Sequence, residues 1–299
     1  VVSARLERLR GSIPPLITPF ARGAIDAKRY EQLVQRVLGQ GSHGVLVNGT
    51  TGEPTTLSLD ERNELVAIAV QAAAGRKPVV AATGGQSLEE TLALTRAAER
   101  AGAEAVLVVT PYFVRPPQRG LVEYYARVLA ETALPAMVYN IPVRAAVGVE
   151  VDTLLRIRER APNLVGMKHA AQDVGFVSQA LAALGRDFRI FAGLEELSLP
   201  MLAVGAAGMM NAVGNLDPAR VAALYEAVAA NDLARAARLN EALSELNAAL
   251  FYDTNPSPLK YLMRRAGLLE ENEHRLPMLP PTPELCARLD RVLARAGLA

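Results

Sequence analysis

The chain has 299 residues, 51% of them hydrophobic and 21% charged, and its 32 basic and 31 acidic side chains leave a net charge of +1. That balance offers no excess of cations for nucleic acid or an anionic membrane surface, so partners of those kinds are not expected. The length suits two small domains or one α/β barrel, and the single cysteine, Cys286, excludes an internal disulfide framework and fits a reducing cytoplasm.

The opening segment VVSARLERLRGS is charged and lacks the apolar stretch of a secretory signal. Other apolar runs, AVLVVTPYF among them, are too short for a bilayer core of about 30 Å. Short apolar, β-branched runs predict strands over 13–18, 44–48, 78–82, 105–110, 135–139, 164–168, 188–192 and 207–211. They are continuous rather than alternating, as in parallel strands covered on both faces. Their starts lie about 20 to 35 residues apart, which leaves room for one crossover helix each. Ser58–Glu61 and Ser87–Glu90 both match the capping box that opens a helix, with helical stripes following over 59–73 and 88–101. Gly41, Gly75, Gly102 and Gly185 close helices. Eight strand–helix units without a linker predict a closed (β/α)8 TIM barrel over 1–216. From 217 to 299 only helical periodicity remains, punctuated by Pro256, Pro258 and the PMLPPTP stretch, which predicts an additional C-terminal helical region.

In such a barrel chemistry gathers at the carboxyl ends of the strands. That rule selects Asn48-Gly-Thr-Thr-Gly-Glu53 after strand two, Thr110-Pro-Tyr-Phe113 after strand four and Tyr139-Asn-Ile-Pro-Val-Arg144 at strand five. It adds Lys168 in strand six, Gly193 after strand seven and Asn211–Asn215 after strand eight. Lys168 is the most informative of these. Only four of the 32 basic residues are lysines (Lys28, Lys77, Lys168 and Lys260), and Lys168 ends an apolar run. Burying an unpaired ammonium costs several kcal/mol, so a lysine there lowers its pKa or finds a partner, and a neutral amine is a nucleophile.

Taken singly, GTTGE is also an ordinary polar turn, Tyr139 an ordinary core aromatic and Arg144 a solvated loop cation. Together the residues suit Schiff-base chemistry. An amine attacks a ketone, water leaves, and the resulting iminium accepts electrons when a neighbouring C–C or C–H bond breaks. A tyrosine with a threonine hydroxyl moves the protons. Threonine hydroxyls and glycine N–H groups hold a substrate carboxylate without a competing cation. The three histidines lack metal-ligand spacing, so neither metal nor cofactor is expected. His169 turns to the opposite face of its strand as a packed histidine, while His43 and His274 read as surface residues. Glu195 and Glu196 after strand seven would repel a phosphate, which points to a non-phosphorylated carboxylic acid.

With GTTGE, the TPYF and YNIP strand ends, GMK on strand six and NPSPLK at 255–260, in order from about residue 11 to 295, the chain resembles the dihydrodipicolinate synthase / N-acetylneuraminate lyase family of class I aldolases. The resemblance implies a homo-oligomer, dimer or tetramer, and a carbon–carbon lyase or synthase using pyruvate or another 2-oxo acid. It implies Lys168 as the imine lysine, Tyr139 as general acid/base, and Thr50 and Thr51 as the carboxylate-binding and proton-relay pair. Gly49, Arg144, Gly193 and Met210 join the substrate-binding set, Arg144 standing where synthases carry an arginine for the second substrate's carboxylate. Synthases place a second tyrosine hydroxyl, which reaches the neighbouring subunit's site, where this chain has Phe113; Tyr112 precedes it and is expected to point elsewhere. His169, Ala170 and Ala171 also depart from the synthase pattern. The expected reaction is condensation of pyruvate with aspartate semialdehyde. Aldol cleavage or dehydration of a sugar-derived 2-oxo acid and a non-catalytic binding barrel are the alternatives.

Overall fold

Eight parallel strands make one sheet in the computed structural model, which describes residues 2–298. They are β1 (Gly11–Ser12), β2 (Val45–Val47), β3 (Val79–Ala82), β4 (Ala105–Val109), β5 (Ala136–Asn140), β6 (Leu164–His169), β7 (Arg189–Ala192) and β8 (Gly208–Met209). Each pairs with its sequence neighbour from β2 to β8, and β8 pairs with β1. Just past β1 the ring closes. Leu46 N–H donates to the Pro14 carbonyl and Leu16 N–H donates to the Leu46 carbonyl, each at 2.9 Å. The fold is a (β/α)8 barrel.

The first strand differs from the expected 13–18. Its ladder lies at 11–12, and farther on only a bridge between Pro15 and Leu46 continues it. Pro14 and Pro15 have no N–H to give, so a regular ladder cannot run through them. A small hairpin, Phe20–Ala21 with Ala24–Ile25, was also not expected. Arg22 and Gly23 both take positive φ (54° and 79°), the backbone that a two-residue hairpin turn demands.

The apolar strands alternate after all, with both faces apolar. Leu46, Val80, Leu107, Met137 and Phe191 fill the barrel interior, while Val45, Val47, Val79, Val106 and Val138 pack outward against the helices. Tyr139 belongs to the inward set. The Ser58 capping box forms in both halves, Glu61 N–H donating to Ser58 Oγ at 3.2 Å and Ser58 N–H to Glu61 Oε2 at 2.9 Å. At Ser87 only the serine half forms, because the Glu90 carboxylate turns to Arg62 instead, at 3.4 Å.

After β8 come helices Pro218–Ala229, Leu233–Ala249, Ser257–Arg265 and Pro283–Arg295. The chain between the second and third of these returns to the barrel mouth, where Asn255 Nδ2 donates to Thr51 Oγ1 at 3.0 Å. Among the described residues no helix is long and apolar enough to cross a membrane.

Candidate active site

Lys168 and Tyr139 are register partners on β6 and β5. The Lys168 side chain is buried, and its Nζ lies 4.5 Å from the centroid of the Tyr139 ring. Among the described residues it has no carboxylate partner, whereas the other buried lysine, Lys260, has Glu53 at 2.9 Å. Two glycines create the seat. A Cβ at Gly166 would stand 2.1 Å from the Arg189 carbonyl oxygen, so only glycine lets β6 and β7 run this close. A Cβ at Gly193 would fall 3.0 Å from Lys168 Cε, so the strand-seven end leaves space for the lysine stem.

The Tyr139 hydroxyl shares a hydrogen bond with Thr50 Oγ1 at 3.2 Å. The tyrosine backbone is fixed in turn by Thr110, whose hydroxyl donates to the Tyr139 carbonyl, also at 3.2 Å. GTTGE is a polar turn in the structure, a short 3-10 turn at Thr50–Gly52 followed by another at Pro54–Thr56, and the first of them delivers Thr50 and Thr51 to the mouth.

A cavity of about 510 Å³ is lined by Lys168, Tyr139, Thr50, Thr51, Gly193 and Met210. Arg144 lies on its rim, exposed, in the short helix Pro142–Ala145. It is shared with a second cavity of about 650 Å³ that Gly49 and Tyr112 line together with Arg62 and Glu90. Most of the residues singled out from the sequence therefore meet at one place, with Gly49 and Tyr112 one cavity further on. Phe113 lines neither cavity; it is 89% exposed at φ +74°. Tyr112 lines a cavity that Phe113 does not reach, and burial, with the Glu90 charge adding to it, raises the Tyr112 hydroxyl's pKa.

Glu195 is the residue the sequence reading placed wrongly. Glu196 is exposed, but Glu195 is buried and its Oε1 accepts the Ala212 N–H at 2.6 Å. Burial pushes its carboxyl up to about 7, against the opposing pull of the Ala212 N–H and the Lys168 charge. It lines the lysine's cavity, where burial favours its protonated form over the fixed charge expected from the sequence. His169 is a satisfied core histidine: Asn140 Nδ2 donates to its Nδ1, its Nε2–H donates to the Asp173 carbonyl, each at 3.2 Å, and burial lowers its pKa. Of the two histidines expected at the surface, His43 is partly exposed and His274 is buried. The His274 side chain is 1% exposed, against Glu53, and the His43 ring accepts the Ser12 N–H at 3.2 Å and meets Glu226 at 2.7 Å. No group of three or more His, Cys, Asp or Glu among the described residues could hold a metal ion.

Fold and site together describe a (β/α)8 barrel whose carboxyl mouth presents one buried amine beside a phenol and two threonine hydroxyls. The chain belongs to the dihydrodipicolinate synthetase family, whose model matches residues 8–296. It is 48% identical over 290 residues to the 4-hydroxy-tetrahydrodipicolinate synthase of Thermus thermophilus, a match covering 97% of each chain. The dihydrodipicolinate synthase of Aquifex aeolicus superposes with a TM-score of 0.95 at 37% identity, covering 97% of this chain and 99% of that one. That of Acinetobacter baumannii, solved in complex with pyruvate, gives 0.94 at 33%, covering 97% and 100%.

Proposed function

We propose that this chain is a 4-hydroxy-tetrahydrodipicolinate synthase that condenses pyruvate with aspartate semialdehyde through an imine on Lys168. The observation that supports this best is the unpaired amine, buried 4.5 Å from the Tyr139 ring in a cavity of about 510 Å³. A binding protein has no use for a nucleophile in that position. The names of the relatives give the same reaction.

In this reading Lys168 Nζ adds its lone pair to pyruvate C2, and the carbonyl electron pair moves to oxygen, which takes the Tyr139 proton. Nitrogen then releases a proton, the hydroxyl gains one and leaves as water, and the C=N bond forms as an iminium. Loss of a C3 proton gives an enamine, whose C3 attacks the aldehyde carbon while the aldehyde oxygen takes a proton. The amino group of the second substrate adds to C2 and expels the Lys168 amine, closing the ring and restoring the enzyme. Thr50, 3.2 Å from the Tyr139 oxygen, is the next proton carrier. Acid–base groups so placed contribute roughly 10²–10⁴ in rate. Thr51 and nearby backbone N–H groups take the pyruvate carboxylate, Gly193 and Met210 wall the imine, and Arg144 takes the carboxylate of the second substrate.

The reading includes a cytoplasmic homo-oligomer. Phe113, Val114 and Val143 are 89%, 67% and 84% exposed beside the site, an apolar face suited to a second copy of the chain. Turnover of pyruvate with aspartate semialdehyde, set against cleavage of sugar-derived 2-oxo acids, tests the substrate assignment. Condensation is expected to dominate, and the reverse order would overturn it.

A further inference from the structure

The helical region that follows the barrel reaches the mouth at several points, and two of its contacts are made by buried polar side chains to the loop carrying Thr50 and Thr51. Asn255 Nδ2 donates to Thr51 Oγ1 at 3.0 Å. Two residues along, Glu53 Oε1 receives Lys260 Nζ at 2.9 Å, with both side chains 1% exposed or less. Lys260 also donates to the Glu273 carbonyl at 2.6 Å and stands 4.4 Å from the Phe20 ring centroid. The buried His274 ring closes the far side, its Nδ1 3.9 Å from Glu53 Oε2. Glu53 has φ +55°, a left-handed backbone that a non-glycine residue keeps only where its surroundings hold it.

Stability explains neither contact. A buried ion pair loses in desolvation much of what its attraction returns, and apolar residues of similar volume commonly serve as well or better. Asn255 is buried, and among the described residues no protein group bonds its Oδ1. What an ion pair and an amide supply, and methyl groups do not, is direction. The loop they hold carries Thr50 Oγ1, 3.2 Å from the Tyr139 hydroxyl. That separation is already near the limit for such a bond, so a shift of about 1 Å breaks it.

We propose that Asn255, Lys260 and Glu53 are positioning residues, through which the C-terminal helical region holds the Thr50–Thr51 loop so that the Thr50 hydroxyl stays within reach of Tyr139. The proposal rests on the reading of Lys168, Tyr139 and Thr50 as the reacting set. Glu53 and Lys260 lie off the lysine's cavity and act through the loop, and Asn255, on the cavity's edge, acts through its bond to Thr51.

Two variants of the full chain separate positioning from packing. Asn255→Leu removes the donor to Thr51 together with the side-chain carbonyl. The double variant E53M/K260M fills the ion pair's volume without charge. Both are expected to melt within a few degrees of the parent or above it, while kcat falls by roughly 10- to 100-fold, the scale set by a misplacement of about 1 Å. Borohydride with pyruvate is expected to label Lys168 in both, at a rate reduced at least about tenfold. If either variant fails to fold, the other decides. Parent-like turnover in a folded variant, or a loss of turnover matched by a loss of melting temperature in both, overturns the proposal. A parent chain that forms no adduct with pyruvate would overturn the underlying reading instead, and the proposal with it.

Discussion

Lys168 Nζ stands 4.5 Å from the centroid of the Tyr139 ring, from directly paired positions on neighbouring strands. Two backbones hydrogen-bonded in register fix the points from which both side chains enter the barrel mouth. The phenol oxygen has one side-chain partner, Thr50 at 3.2 Å. Tyr139→Phe keeps the ring and its packing and removes only the proton carrier. Steady-state kinetics should show kcat lower by roughly 10²–10⁴ with the melting temperature nearly unchanged. A variant with parent kcat would take Tyr139 out of the chemistry.

Gly166→Ala tests how the lysine is seated. The added Cβ would lie 2.1 Å from the Arg189 carbonyl oxygen, and a backbone atom between two barrel strands cannot move aside cheaply. Denaturant unfolding should show a loss of about 3 kcal/mol, and any folded fraction should react with pyruvate more slowly.

The buried Glu195 carboxyl predicts a pH dependence of stability. Its pKa is raised from the ordinary 4.5 to about 7 in the folded chain, so the folded state holds the proton more tightly than the unfolded one. Folding is therefore favoured at low pH, and the advantage is lost as pH rises from about 4.5 to about 7, by an amount on the order of 3 kcal/mol. Glu195→Gln keeps an acceptor for the Ala212 N–H and cannot ionise. Its unfolding midpoint should exceed the parent's at pH 8 and match it near pH 4, and identical pH profiles would contradict the assignment.

Glu61 behaves in the opposite sense. Its bond to Arg275 and its capping of Ser58 hold the carboxyl down to about 2, so its contribution is present above about 4.5 and disappears as pH falls toward 2. Glu61→Ala should cost about 1 kcal/mol at neutral pH, the usual value of a lost cap, and should flatten the acid limb of the thermal midpoint.

The barrel was legible because parallel strands covered on both faces must be apolar throughout, and the runs ending in Tyr139 and Lys168 met that demand. The first strand was not, since Pro14 and Pro15 shift its hydrogen bonds to Gly11–Ser12 and a lone bridge. Lys168 stood out because lysine is scarce and it ends an apolar run, whereas Lys260, just as buried, sits in no such run and was not singled out. What the sequence could not convey is which charged loop residues turn inward. Glu195 and Glu196 look alike in sequence, and the choice between them is made by the Ala212 N–H from the next strand end. His274 is buried by Glu53, a residue from the other end of the chain.

Borohydride reduction in the presence of pyruvate, followed by peptide mass analysis, decides whether Lys168 is the imine lysine. One amine hydrogen of Lys168 is expected to be replaced by a carboxyethyl group, with Lys28, Lys77 and Lys260 unmodified and no label in Lys168→Arg. An unlabelled Lys168, or a label spread over the other lysines, would contradict it.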